Sequence, residues 1–250
     1  MRIEKKKLLL LLSTWFVLSV SYAKTLIIET TTDSPPFVSL ADNKNHFYGF
    51  DIDIMLRICQ MIQENCEFKP VLISKLGDKI VQGKADLAIS AIIIPSVPLN
   101  NLIFSLPYLP SNGQVMVRAD SNIKDFKDLL HKKIGVRHGT LFFGGSLFKD
   151  HILSVYGDKI DIIEYSTIDD LLYALSNEDV DAIFSNEKNI QFWYMNNKEL
   201  YRLVGSKIPI GDGYGIMAKI GNEDLMTRIN QALMKMEADG SYLQIYKRYF

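Results

Sequence analysis

The chain has few of the residues that build metal centres and catalytic sites. It contains four His and two Cys among its 250 residues, and no Ser-His-Asp or Cys-His set stands in a recognisable context. The glycine-rich residues 211–218 lack the Gly-Lys-Ser/Thr sequence of a phosphate-binding loop. We therefore expect no metal, no cofactor and no enzyme activity. Glu187 is the acidic side chain that a catalytic alternative would use.

The chain also has no excess of positive or negative charge. Lys and Arg number 28 against 29 Asp and Glu, which gives a formal net charge of -1. The basic residues of the mature chain are scattered singly, so they form no stripe that could neutralise phosphates or grip an anionic membrane. We expect no nucleic-acid partner.

The first residues predict export. Arg2 and residues 5–7 are basic and lead into an apolar run over residues 8–18, which is too short to span a bilayer comfortably as a helix. Small residues, Ser21 and Ala23, then stand where a signal peptidase requires them. The pattern predicts a signal peptide over residues 1–23, cleaved after Ala23, and a mature protein in the periplasm. A retained membrane anchor is the alternative.

The two cysteines, Cys59 and Cys66, are seven positions apart. In an oxidising compartment a nearby pair usually forms a disulfide bond. Metal binding competes with that interpretation, but two thiols without neighbouring His residues supply only half of a zinc site. We expect a disulfide that ties the end of a helix to the strand that follows it.

Short apolar runs alternate with helical periodicity along the mature chain. Residues 25–30 predict a strand, and residues 51–63 have the three-and-four spacing of a buried helix face. A similar strand-helix alternation returns after residue 134, with residues 142–153 as a helix. Residues 83–90 and 177–185 echo each other as a turn, an Asp and a buried strand. Two α/β units with a cleft between them are therefore predicted.

Two further patterns complete the tertiary prediction. Residues 211–218 are predicted to form a glycine-rich strand. Residues 242–250 carry aromatic side chains at helical spacing, and such a face normally buries against a neighbouring layer. We interpret these aromatic residues as packing rather than as a ligand site.

The chain resembles the periplasmic binding proteins for polar amino acids, particularly the lysine, arginine and ornithine type. The resemblance covers nearly the whole mature chain. It rests on the order and spacing of several short motifs: Pro36-Phe37, Gly49-Phe50-Asp51-Ile52-Asp53, Phe104-Ser105-Leu106-Pro107-Tyr108, Ile134-Gly135-Val136-Arg137-His138-Gly139-Thr140, Asp181-Ala182 and Gly240-Ser241-Tyr242. Cys59 and Cys66 also resemble the disulfide of arginine-binding members.

The resemblance implies a type II periplasmic binding protein fold, with two α/β lobes, an interlobe cleft and a hinge of two crossing strands. Lobe 1 would comprise residues 24–112 and 213–250, and lobe 2 residues 113–212, with crossings at 108–117 and 213–218. A ligand that contacts both lobes stabilises the closed form. Such a protein would deliver a small polar solute, such as arginine, to a membrane ABC permease, and it would work as a monomer.

The ligand site departs from the family pattern. In the family an Arg on the first lobe binds the α-carboxylate of the amino acid, and an Asp on the second lobe binds the α-ammonium. Those positions correspond here to Pro98 or Leu99 and to Asn186. Leu141 and Ile93 stand where hydroxyl residues are usual, and Ser34 replaces a stacking aromatic residue.

The candidate ligand-binding residues follow from the same comparison. They are Ser34, Phe37, Ser90, Ala91, Ile93, Pro98, Tyr108, Arg137, Gly139, Thr140, Leu141 and Asn186. Either Arg137 or His138 binds a carboxylate in place of the lost Arg, or the ligand is not an ordinary free amino acid. A sensor or other binding protein that feeds no transporter, with a less polar pocket, is the main alternative function.

Overall fold

The computed structural model describes residues 25–42, 45–138 and 144–250. The predicted signal peptide and the candidate residues Gly139, Thr140 and Leu141 lie outside this range, so those predictions stay predictions. The described helices are α1 (Phe50–Ile62), α2 (Asp78–Val81), α3 (Gly144–Tyr156), α4 (Ile168–Ser176), α5 (Glu187–Asn196), α6 (Glu223–Ala238) and α7 (Ser241–Tyr249).

The strands fall into three sheets. In chain order they are β1 (Thr25–Thr30), β2 (Asp33–Ser34), β3 (Val38–Leu40), β4 (Phe47–Tyr48), β5 (Asn65–Pro70), β6 (Leu87–Ala88), β7 (Leu102–Phe104), β8 (Asn112–Arg118), β9 (Lys133–Arg137), β10 (Asp161–Tyr165), β11 (Ala182–Asn186), β12 (Tyr201–Pro209) and β13 (Met217–Lys219). One five-stranded sheet has the order β5-β1-β6-β13-β7, the other has β10-β9-β11-β8-β12, and β2, β3 and β4 form a small third sheet.

The two large sheets are built on the same plan, which confirms the predicted pair of α/β lobes. In each sheet a central strand, β1 or β9, pairs in parallel with a strand on either side, and antiparallel strands complete the far edge. Helices pack on both sheets, since parallel strands bury both of their faces. The predicted lobe boundaries at 112/113 and 212/213 themselves stay predictions.

The echo between residues 83–90 and 177–185 has a structural cause. Asp86 accepts a hydrogen bond from the Ile27 amide at 2.9 Å and donates its own amide to the Ile27 carbonyl. Asp181 makes the same two bonds with Lys133 in the second sheet. In each lobe the Asp before the buried strand thus adds a side-chain hydrogen bond to the backbone bonds that hold β1 or β9.

Helix α1 forms as its periodicity predicted. Ile54, Met55 and Ile58 are fully buried on its inner face. The aromatic residues of α7 and Phe250, which follows it, pack against the Phe50 ring at the start of α1, with ring centroids 5.0 to 6.3 Å apart. The packing interpretation of the C-terminal aromatic residues is confirmed.

The disulfide between Cys59 and Cys66 is present. Cys59 lies in the last turn of α1 and Cys66 in β5, so the bond joins the end of a helix to the following strand, as predicted. No group of three or more His, Cys, Asp or Glu side chains within the described part of the chain is placed to hold a metal ion. Among the helices in that same part, none combines the length and apolarity that a membrane span requires.

The predicted strand over residues 211–218 is present as β13 only from Met217, since residues 211–212 form a turn. Of the predicted crossing segment 108–117, residues 112–117 belong to β8 in the second sheet. Gly211 and Gly213 have φ values of 66° and 112°, which an extended strand does not allow. The linking segments pair with each other, because the amides of Ile210 and Tyr214 donate to the carbonyls of Ser111 and Leu109 at 3.1 and 2.8 Å.

Candidate functional site

A small cavity lies between the two lobes, where the carboxyl ends of their parallel strands meet. It is lined by Ser34, Ile73, Ser90, Ala91 and Ile93 of the first lobe and by Arg137, Phe148, Ser185, Asn186 and Asn189 of the second. Its volume is about 40 Å³, which holds only a few water molecules. A solute of amino acid size therefore needs the lobes to part before it enters.

Arg137 is the one charged residue among those described in the cavity wall. It ends β9, and its side chain is 12% exposed. Its Nη2 atom lies 3.1 Å from Oδ2 of Asp33, which belongs to the first lobe. Its Nε atom is buried and has no hydrogen-bond partner among the described residues. The guanidinium thus pairs across the cleft with an acid of the first lobe.

Asp33 was not selected from the sequence. Burial raises the pKa of its carboxyl, and the Arg137 guanidinium offsets part of that rise. Asp169 of the second lobe acts in the same direction as burial. Because a partly buried carboxylate keeps its charge only beside a cation, the ion pair with Arg137 is what favours the ionised form of Asp33.

Asn189 makes a second direct contact between the lobes. Its Nδ2 atom donates to the Pro35 carbonyl at 2.5 Å and lies 3.3 Å from Oγ of Ser34. Asn189 sits in the first turn of α5, so this contact fixes the N-terminus of α5 against the loop that follows β2. Two contacts between the lobes therefore lie at the cavity, that of the Asn189 amide and that of the Asp33–Arg137 pair.

Asn186 lines the cavity, but its side-chain carbonyl oxygen binds amides of α5. Oδ1 accepts hydrogen bonds from the amides of Lys188 and Asn189 at 2.9 and 3.4 Å, and so caps α5. A neutral amide used in this way offers no charge to an ammonium group. The resemblance placed an acidic residue at this point, and the structure shows a helix cap there.

The floor of the cavity is held by a buried aspartate. Oδ2 of Asp51, in the first turn of α1, accepts a hydrogen bond from the Ala91 amide at 2.6 Å. Ala91 has a φ of 48°, a conformation that costs free energy for a residue with a Cβ. Burial raises the pKa of Asp51 to about 7, against the lowering effects of the Ala91 amide and the nearby Tyr108 hydroxyl.

The remaining candidates divide between the cavity and the core. Ser34, Ser90, Ala91 and Ile93 line the cavity, and the Ser90 hydroxyl bonds that of Thr31 at 2.6 Å. Their role in binding stays a prediction.

Four residues considered for the site lie away from the cavity wall. Phe37 and Tyr108 are buried in the core, where Phe37 packs edge-on against Tyr214. Pro98 is exposed. His138 is exposed as well, and its Nδ1 atom lies 2.9 Å from Glu164. His138 is not among the described residues of the cavity wall, and neither are Pro98 and Leu99, the two positions expected for the first-lobe Arg.

Glu187 is held by neighbouring polar side chains. Its carboxylate accepts hydrogen bonds from Asn112 and Gln191, both at 2.9 Å, and Lys207 lies 3.5 Å away. The side chain is buried and is not among the cavity lining. Glu187 thus ties α5 to β8 near the hinge.

A larger cavity, of about 290 Å³, lies within the second lobe under α3. Apart from the His151 ring its walls come from apolar and tyrosine side chains, and the Tyr156 hydroxyl donates to the Phe126 carbonyl. It offers no ion-pairing partner to a polar solute. The interlobe cavity is therefore the better candidate despite its smaller volume.

Comparison with known proteins agrees with this geometry. The sequence model for the bacterial extracellular solute-binding proteins, family 3, matches residues 26–250. An arginine 3rd transport system periplasmic binding protein from Legionella pneumophila has a TM-score of 0.83 and 37% identity, and the match covers 91% of this chain and 100% of that one.

Curated relatives match over almost their whole length. The ABC transporter arginine-binding protein 1 of Escherichia coli K12 is 26% identical over 98% of this chain and 99% of its own. The arginine-binding periplasmic protein of Mannheimia haemolytica is 28% identical over 98% of both chains. With its two α/β lobes and interlobe cavity, this chain belongs to the bacterial extracellular solute-binding proteins, family 3.

Proposed function

We propose that this protein is the periplasmic binding component of an ABC importer, and that it binds a small carboxylate-bearing solute of the amino acid class between its lobes. The proposal includes export by the signal peptide, cleavage after Ala23, delivery to a membrane permease as a monomer, and no catalytic step. Family membership and the relatives that bear arginine-binding names support this class of solute.

The observation that carries the proposal is the state of Arg137. Arg137 lies in the wall of the interlobe cavity, and its buried Nε donor has no partner among the described residues. A buried donor left unsatisfied costs free energy, and a carboxylate satisfies a guanidinium with the strongest geometry available to it. Arg137 thus replaces the carboxylate-binding Arg that the family places on the first lobe.

The argument that favoured a non-transport sensor was the loss of charged residues at Pro98 and Asn186. Arg137 and Asp33 supply charged residues at the same cleft from other positions. The site is therefore not a less polar version of the family pocket, and we infer that the family function is retained.

A ligand screen tests the proposal. The mature chain, residues 24–250, is heated with each L-amino acid and with ornithine. A true ligand raises the free energy of unfolding by about 2.7 kcal/mol at 100 times its Kd. We expect at least one amino acid to do so, and Arg137→Gln to weaken that ligand by about 10- to 100-fold, as loss of a charged hydrogen bond requires.

The matched control is Arg118→Gln. Arg118 is also a partly buried arginine of the second lobe, but it pairs with Asp120 and Glu178 away from the cavity. The Arg118→Gln protein should bind the ligand as tightly as the unmodified protein does. Equal binding by Arg137→Gln and Arg118→Gln would show that Arg137 holds no carboxylate, and silence across the whole panel would remove the proposed solute class.

A further inference from the structure

We infer that Asp33 and Arg137 form a charge clamp of reversed polarity, in which Asp33 of the first lobe binds the ammonium of a zwitterionic ligand and Arg137 of the second lobe binds its carboxylate. The inference rests on the proposed function and specifies the ligand further. The resemblance implies the opposite arrangement, with the Arg on lobe 1 and the acid on lobe 2.

The first argument is geometric. Asp33 directly precedes Ser34, which lines the cavity, and its Oδ2 atom reaches across the cleft to Nη2 of Arg137 at 3.1 Å. The two residues are 104 positions apart and belong to different lobes. Their contact therefore breaks whenever the lobes part, and each charged group then needs another partner.

The second argument is electrostatic. Among the described residues of the cavity wall, the other polar side chains, those of Ser34, Ser90, Ser185, Asn186 and Asn189, are neutral. Arg137 lines the cavity and Asp33 reaches it as the ion-pair partner of Arg137, so this part of the cleft offers one positive and one negative group, and a zwitterion inserted between them exchanges one ion pair for two. A lone cation or a lone anion leaves one partly buried charge without compensation, which is costly in a desolvated site. The site is thus matched to a ligand with both charges.

The third argument concerns what each partner retains. Arg137 bonds Asp33 through Nη2 while its Nε donor stays unpartnered among the described residues. Asp33 is more exposed than Arg137, at 39% against 12%. The ammonium group therefore lies toward the rim of the cleft, beside Asp33, and the carboxylate lies deeper, beside Arg137.

The test uses three compounds that differ only in these two groups. L-Arginine carries both, agmatine lacks the carboxylate, and 5-guanidinopentanoate lacks the α-ammonium; any other amino acid selected by the panel is compared in the same way. Calorimetry is run on the unmodified protein, Asp33→Asn and Arg137→Gln. The unmodified protein should bind the amino acid about 10- to 100-fold more tightly than either analogue.

The variants separate a binding role from a structural one. Asp33→Asn should weaken binding of the amino acid by about 10-fold or more and should not weaken binding of the deaminated acid, which then no longer leaves a carboxylate without a partner. Arg137→Gln should weaken the amino acid and the deaminated acid alike. The control Asp120→Asn, an exposed aspartate of the second lobe, should change none of them.

Two other results would refute the charge clamp. If Asp33→Asn weakens the amino acid and the deaminated acid equally, or weakens neither, Asp33 does not bind the ammonium, although Arg137 still serves the proposed function. If no amino acid binds the unmodified protein, the proposed function and the clamp fail together.

Discussion

Replacing Asp51 by Asn should make the protein more stable at alkaline pH. The carboxyl of Asp51 is fully buried, and burial raises its pKa from the usual 3.8 to about 7. Asn has nearly the same shape, and its Oδ1 atom can still accept the hydrogen bond from the Ala91 amide. The substitution therefore removes a buried ionisation and keeps the contact that fixes the floor of the cavity.

The size and sign follow from proton linkage. Below pH 4 the carboxyl is protonated in both folded and unfolded chains, so it imposes no ionisation cost. Between pH 4 and 7 the unfolded chain releases the proton while the folded chain keeps it, so stability falls as pH rises. Above pH 7 the full cost is present, and three pKa units correspond to about 4 kcal/mol as an upper bound.

The assay is urea denaturation of the mature protein and of Asp51→Asn at pH 4.5 and pH 8. Relative to the unmodified protein, the variant should gain about 2 to 4 kcal/mol more at pH 8 than at pH 4.5. Asp78→Asn, at an exposed aspartate of α2, is the control and should show no such difference. A stability change in Asp51→Asn that is the same at both pH values would refute a raised pKa at this site.

Three more predictions concern the lobes and the hinge. Replacing Cys59 and Cys66 by Ser should cost about 2.5 kcal/mol for this short loop, and reductant should bring the unmodified protein to the same value; reductant without effect would contradict this. Gly113→Ala should cost about 1 to 3 kcal/mol, because its Cβ would lie 2.5 Å from the Phe184 ring, and adding Phe184→Leu should recover part of that loss; no recovery would locate the strain elsewhere. Asn189→Ala removes the bond to the Pro35 carbonyl, so X-ray scattering should report a larger radius of gyration, whereas an unchanged radius would mean that this bond does not hold the lobes together.

Local pattern predicted most of the fold because the pattern reports burial directly. The three-and-four spacing of Ile54, Met55 and Ile58 predicts α1, and these side chains are fully buried. The repeated Asp before a buried strand predicts the two matching lobes, since Asp86 and Asp181 each bond to a central strand. These features depend on residues close together in the sequence or on a pattern that recurs.

The turn at residues 211–212 could not be predicted in the same way. Residues 211–218 have the apolar content of a strand, but the chain turns at Gly211 and Gly213 before β13 begins at Met217. The deciding contacts come from distant residues, since a Cβ at Gly213 would lie 2.6 Å from the Cβ of Pro107. A glycine in a strand pattern signals such an approach without identifying the partner.

The site shows the same division. Arg137 was a candidate because it follows a predicted strand on the cleft side, and the structure places it in the cavity wall. Asp33 was missed because its partner is 104 residues away and belongs to the other lobe. Its position at the carboxyl end of the first strand was the available signal, as ligand sites in α/β folds collect at that edge.

Charge balance explains why the two departures from the family pattern occur together. An Arg at the first-lobe position of the family, without an acid opposite it, would leave a cation partly buried and unpaired. An acid without that Arg would likewise leave an anion unpaired. Pro98 is exposed outside the cavity and Asn186 uses its carbonyl to cap α5, so neither brings a charge into the cleft. Asp33 and Arg137 bring one of each sign. In the proposed clamp the net charge of the two groups is therefore zero while the positive and negative groups exchange lobes, so a zwitterionic ligand would bind in the reversed orientation.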